Sequence, residues 1–460
     1  MWSSDAAQNL VLSQSSSSVA STSICPTPDG GFYVSWLDFA NGYSLYLQRL
    51  DVEGNEMWQS NGKLICRRDI QSVIKYGLSV DPDGNAILGI DSGYPALHQP
   101  GGVALAFKVS PAGELLWGSA GIPLSPREES VAAVLCCATD DHGAVFLWGT
   151  EKDELLRMAK LDATGNRLWA TSITPDTSKA MVWPAGIIAS DDGSVIYAFI
   201  QYIGSTGGTW NSVFTQKLAA ADGAQLWGDT PVMVIDSSVA TAVTLPMGVV
   251  PTLMPDGAGG AVYGYSLIDE SEHIYVQRVN STGHPVYTAN GLRVSGGLID
   301  ASAARFGFDA AGGRLYTAWN ANYVDATGED MSGVRAQCID NAGMLLWDEA
   351  GAALAPYEPF AEMSPVAMLP VTGGVLAAWV QHAPEGAYLP QLLRASLLEE
   401  SGTPVWQNAV EDIKSSGTNT TSYAVGALGA SGYGAFAWTS DDYTVRAQNI
   451  NQDGTLGVAK

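Results

Sequence analysis

The side chains best suited to chemistry fall in five short segments, 91–102, 201–209, 268–273, 321–333 and 381–389. They bring Tyr94, His98, Tyr202, Tyr323, Asp325, Asp330, His382 and Tyr388, with Asp269, Glu270, Glu272, His273, Glu329 and Glu385 among them. Aromatics interleaved with carboxylates suit a polyol or a glycan, because ring faces stack on sugar C–H surfaces and carboxylates accept hydrogen bonds from hydroxyls. The same composition also describes a solvated acidic face. Two tryptophans outside any pattern, Trp183 and Trp210, are the preferred ligand anchors. Packing between elements is the competing reading for Trp183, since tryptophan is usually a core residue.

Other chemistries find little support. His98, His273 and His382 lie too far apart for metal-ligand spacing, so no metal is assigned. Asp81-Pro-Asp-Gly84 and Asp140-Asp-His-Gly143 look like calcium loops but lack the later bidentate glutamate, and read as hairpin turns. There is no Gly-x-Ser-x-Gly elbow, no His-Glu-x-x-His and no phosphate loop, so no catalytic residue is named. Cys136 and Cys137 adjoin in an apolar run and read as small buried residues, and five cysteines in all are too few for a disulfide scaffold.

What positions the five segments is a repeat. Gly-x-x-x-Trp, after a short apolar run ending in Asp or Asn, recurs at Gly54, Gly113, Gly165, Gly223, Gly283 (with Tyr287), Gly343, Gly402 and Gly454 (with Val458). The spacings are 59, 52, 58, 60, 60, 59 and 52 residues. Ahead of each copy lies a glycine turn and a strand that often carries an aromatic, as in Asp29-Gly-Gly-Phe-Tyr-Val-Ser-Trp36. Such runs are hairpins, and no stretch has the period of a helix. In the third unit four strands are expected, A at 131–138, B at 144–149, C at 155–161 and D at 166–171. Four strands at this period mean blades, and eight copies mean an all-β, eight-bladed β-propeller forming one domain over 1–460. The units run approximately over 14–66, 67–125, 126–174, 175–236, 237–296, 297–356, 357–413 and 414–460. Residues 1–13 resemble the outer strand after Trp117, and the last unit stops after its third strand, so the N-terminus is expected to close the ring. Seven tryptophans then occupy the D position and five (Trp36, Trp148, Trp319, Trp379, Trp438) end B strands, which leaves only Trp183 and Trp210 over.

The Gly-x-x-x-Trp spacing resembles the tryptophan-docking repeat of pyrroloquinoline-quinone-type eight-bladed propellers. Its upstream portion departs, because Ala159 precedes Asp162 by three positions and most copies carry Gln in place of Ala. The Gln-Arg-Leu-Asp-x-x-Gly-x-x-x-Trp form looks more like repeats of secreted bacterial propellers. The quinoprotein resemblance implies a dehydrogenase with quinone and calcium at the channel mouth, yet no calcium ligand set with a basic cofactor clamp can be assigned, so no cofactor is expected.

A net charge of −25 excludes nucleic acid as partner and disfavours anionic membranes, and no apolar run is long enough to span a bilayer. The N-terminus has no signal-peptide pattern and begins inside the repeat. An exported monomer with its signal removed is therefore expected, at the cell surface, outside the cell or in the periplasm. Variable B–C loops on a rigid scaffold usually carry function. The favoured reading is a non-enzymatic module holding a glycan or protein on that face, with an enzyme at the channel mouth or an assembly scaffold as alternatives.

Overall fold

The computed structural model describes the chain except residues 69–74, 93–101, 127–128, 130, 151–154, 174–179, 206–207, 238–242, 247, 298–299, 360–362, 383–390, 416–421, 430–431 and 459–460. Side chains are also not described at 41, 132, 180, 203–205, 208–210 and 422–423. The strands form eight four-stranded antiparallel sheets, and each sheet is one blade. Blade three holds strand A at Val131–Ala138, B at Ala144–Thr150, C at Leu155–Leu161 and D at Arg167–Ile173, within two residues of expectation. The innermost A strands touch their neighbours in order around the ring, the last (Ser422–Leu428) against the first (Val19–Pro26). Leu10–Gln14 pairs with Thr444–Ile450 and gives blade eight its fourth strand. The ring is an eight-bladed propeller closed by its own N-terminus, which removes the open edge a sheet would otherwise expose.

The repeat glycine and tryptophan meet across blades. Trp2 packs on Gly54 of blade one, Trp58 on Gly113 of blade two, and so on to Trp406 on Gly454 of blade eight. A Cβ on Gly54 would stand 2.4 Å from the Trp2 ring, and the residue's φ is +76°, so the position demands glycine twice over. Each indole N–H also donates to a carbonyl of that neighbouring turn, as in Trp227 Nε1 to Ser281 O at 2.9 Å and Trp347 Nε1 to Glu400 O at 2.8 Å. Tyr287 takes the place of tryptophan against Gly343 and completes the circuit. Except for Trp169, these rings precede strand D, because a second turn follows them before the outer strand starts.

The glutamine of the repeat is explained by the same turn. Gln337 Oε1 accepts from the Trp347 N–H at 3.0 Å while its Nε2 donates to Asp348 O at 2.9 Å. Gln48, Gln216 and Gln277 donate to equivalent carbonyls. A buried amide that satisfies both ends of the C–D connection does what alanine cannot. The five B-strand tryptophans are buried inside the blades, as the repeat implied.

On the side of the A–B turns, blades one to five share a further device. The residue before the last position of strand C is a cation (Arg49, Lys108, Lys160, Lys217, Arg278) paired with an A–B turn carboxylate (Asp29, Asp81, Asp141, Asp192, Asp256). Some cations reach on to the next blade: Lys108 Nζ donates to His142 O at 2.8 Å, and Lys217 Nζ to Gly259 O. At the equivalent repeat position, five residues ahead of Gly343, Gly402 and Gly454, blades six to eight carry Cys338, Leu397 and Asn449. All five cysteines are free thiols, and burial pushes those of Cys25, Cys66, Cys137 and Cys338 up to about 12.

Candidate functional site

Two B–C hairpins stand out by length. In blade four, strands Val195–Ser205 and Gly208–Leu218 pair out to Ser205 opposite Gly208. In blade six, Arg314–Val324 and Asp330–Asp340 pair out to Val324 opposite Asp330. The segments read from sequence as loops 201–209 and 321–333 are therefore mostly strand. Alternating β-branched and aromatic residues carry the ladder past the point where a loop was expected.

Blade six builds the more complete site. Tyr323, near the hairpin tip, is 37% exposed. It meets Tyr357 edge to face, with ring centroids 4.8 Å apart and planes at 86°. Tyr357 belongs to an eight-residue D strand, Ala352–Pro359, which follows strand C up to Met331. The Arg335 guanidinium lies 4.7 Å from the Tyr357 ring centroid. A short polar row follows on the same blade: Asn322 Nδ2 donates to Asn320 Oδ1, and Asn320 Nδ2 donates to Ser332 Oγ at 3.1 Å. From Glu358 the network crosses to blade seven. Gln381 Nε2 donates to Glu358 Oε2 at 3.1 Å, Arg394 Nη1 donates to Gln381 Oε1 at 3.0 Å, and Arg394 Nε donates to Asp412 Oδ1 at 3.0 Å. His382, at the end of strand B in blade seven, is hydrogen-bonded to Gln391, whose carbonyl accepts from Lys414 Nζ at 2.6 Å. Burial holds the Lys414 amine down at about 8.

The other residues named from sequence are distributed as follows. Asp325 Oδ1 accepts from Thr327 N, Thr327 Oγ1 and Glu329 N, so that oxygen is committed to shaping the hairpin turn; these bonds also hold the carboxyl below its ordinary value. Asp330 opens strand C, exposed and opposite Val324. Trp183 lies inside strand A of blade four (Ala180–Ala189), not ahead of it, and is partly buried opposite Ile200. Tyr202, two residues on from Ile200, is partly buried against the core shared with blade five. Trp210 sits in strand C opposite Ile203, and its side chain lies outside the described residues, as do Tyr94, His98 and Tyr388 altogether. His273 is 4% exposed, and burial lowers its pKa, so it is part of the wall. The structure thus brings Tyr323 together with two residues the sequence did not single out, Tyr357 and Arg335. No sequence signal marks them, because the sixth unit is no longer than the fifth and only the structure shows how far its D strand extends.

Among the described residues, one cluster has metal-ligand geometry: Asp81, Asp83 and His142, on the A–B face. Its central group is already spoken for. Asp81 accepts from the Asp83 and Asn85 backbones and pairs with Lys108 at 2.8 Å, which makes it a turn cap and half of a buried ion pair.

No protein-family model and no curated protein matches the chain. Several solved structures share the fold. A polysaccharide lyase of the ulvan lyase type is 10% identical, covering 86% of this chain and 97% of its own, with a TM-score of 0.49. A lectin from Burkholderia pseudomallei is 11% identical over 84% of this chain and 98% of its own, at a TM-score of 0.48. A prolyl oligopeptidase from Galerina marginata is 10% identical over 93% of this chain but 56% of its own, at 0.46. At such identities and TM-scores the likeness assigns no ligand or activity to this chain.

Proposed function

We propose that this propeller is a non-enzymatic module that holds a glycan on its B–C face, with the principal contact at the hairpin of blade six. The observation that carries this reading is the Tyr323–Tyr357–Arg335 group: a partly exposed phenol ring held in fixed orientation by a second ring, itself backed by a guanidinium. A preoriented ring offers a flat apolar face at little entropic cost. The half-buried amide of Asn322 and carboxylate of Glu358 lie on the same blade and would face sugar hydroxyls, while the buried Asn320 amide is committed to Ser332 Oγ and the Met363 carbonyl and holds Asn322 in place. Trp210 and Tyr202 on the blade-four hairpin, with Trp183 on the adjoining strand A, would form a second contact.

The test is a glycan array followed by calorimetry on the best ligand. Tyr323→Ala should weaken binding about tenfold or more while leaving the melting temperature unchanged, since the ring is an exposed anchor. Equal affinity in the variant would remove Tyr323 from the site, and silence toward neutral and acidic oligosaccharides alike would end the glycan reading. Trp210→Ala examines the second contact in the same way.

A further inference from the structure

The chain has 47 acidic side chains, and its arginines use them. Among the described residues, seven arginines that are buried or partly buried have a carboxylate at 3.9 Å or closer, Arg314 and Arg394 among them. Arg335, partly buried in strand C of blade six (Asp330–Asp340), is the exception. It forms no ion pair and donates to no protein atom among the described residues, and its Nε is buried without a hydrogen-bond partner. What faces its charge is the Tyr357 ring, 4.7 Å from the guanidinium. A ring face attracts a cation but uses none of the five N–H donors, which need oxygen acceptors. Donors left open in a partly buried position call for a partner.

Register shows where that partner would stand. Along strand C, Met331, Gly333 and Arg335 share one face of the blade, opposite Tyr323, Ala321 and Trp319 of strand B. Tyr357 lies against Gly333, where a Cβ would stand 3.0 Å from the ring, so the glycine lets the ring rest on the strand. Tyr357 therefore sits between Tyr323, with centroids 4.8 Å apart, and the guanidinium on its other side. The three groups form a row leading inward from the hairpin tip. Across strand D the partner of Arg335 is Ala353, exposed and too small to cover it.

We infer that Arg335 sets the ligand class: the glycan held at blade six is acidic, and its carboxylate or sulfate ester bonds to the Arg335 guanidinium. This rests on the glycan reading above and narrows it. One sugar ring stacks on Tyr323, and the next unit along the row brings its oxyanion to Arg335, a distance two linked sugars span. A guanidinium suits this task because its planar fork matches two oxygens of one group, and charge-assisted bonds of this kind are the strong ones. The net charge of −25 repels a polyanion only at long range, since salt at physiological strength screens it over about 8 Å.

The experiment is calorimetry in 0.15 M chloride on two matched pairs: oligogalacturonate with its methyl ester, and a sulfated galactan oligosaccharide with its desulfated form. Within at least one pair the parent chain should bind the acidic member about tenfold or more tightly than the neutral one. The galacturonate pair reports on a carboxylate and the galactan pair on a sulfate ester. Arg335→Met should bring the acidic-to-neutral ratio close to one, and Arg335→Lys should keep part of it; added salt should erode it in the parent. Tyr323→Ala should weaken both members and preserve the ratio. Melting temperatures check that the variants fold, and the preference of the parent chain is readable without them. No preference in either pair, no binding of any of the four probes, or a preference that survives Arg335→Met would overturn the inference. A neutral glycan found on the array and lost with Tyr323→Ala would then leave the glycan reading standing without it.

Discussion

Lysine plays opposite parts at the floor and the neck of this propeller. On the floor, Lys108 is 4% exposed and pairs with Asp81, itself 0% exposed, and it also holds the next blade through His142 O. In the neck, on the channel side of the innermost strands, Lys75 donates to one backbone carbonyl and meets no carboxylate among the described residues. The floor lysine completes a closed set of bonds, and the neck lysine leaves one open. A cation whose partners are all supplied by the chain is part of the architecture; one left open to the channel water is not.

The sharpest way to break this contrast is to remove each charge. Lys108→Met strands the Asp81 carboxylate in the wall, and should cost about 3–5 kcal/mol in denaturant unfolding, the usual penalty for breaking a buried pair. Lys217→Met should cost less, roughly 1–2 kcal/mol, because its partner Asp192 is 50% exposed and can be solvated, so that chiefly the bond to Gly259 O is lost. Lys75→Met should move stability by less than about 0.5 kcal/mol, and in the stabilising direction, because the side chain is wetted and solvent offsets most of the penalty of its charge. A loss at Lys75 comparable with that at Lys108 would show the neck lysine to be structural, and the distinction between floor and neck would fall.

The sequence made the floor far more legible than the neck. The Gly-x-x-x-Trp period exposed all eight docking sites, because each is a tight turn under steric demand and recurs in every blade. The closing strand could be read from the likeness of residues 1–13 to the segment after Trp117. The cation of blades one to five was visible only as variation within the repeat, and its purpose depends on the A–B turn carboxylate that register sets beside it. Lys75 and Arg305 gave no signal at all. Each is a single charged residue in or beside an inner strand, and only the ring geometry shows that both stand on the channel side of their blades. The blade-six rings lie between these extremes: Tyr323 was expected on the B–C face, but Tyr357 depends on a D strand four residues longer than that of blade one, and the repeat does not encode this.

The smallest effect is also the most discriminating, because it depends on the neck being empty of negative charge. Burial lowers the Lys75 pKa from its ordinary value near 10.4. Between the folded and unfolded values the unfolded chain binds a proton that the folded chain has released, so through this group stability rises with pH across that window. Below the window the folded protein carries the full penalty of the enclosed charge; above about pH 10.4 it carries none. The advantage of Lys75→Met over the parent chain should therefore be greatest at neutral pH and shrink to nothing as pH climbs towards 10.5. The raised thiols and tyrosines titrate in both proteins and cancel in the difference. Melting temperatures of the two proteins between pH 7 and 10.5 measure it. A gap that stays constant with pH would mean that Lys75 is solvated like any surface lysine.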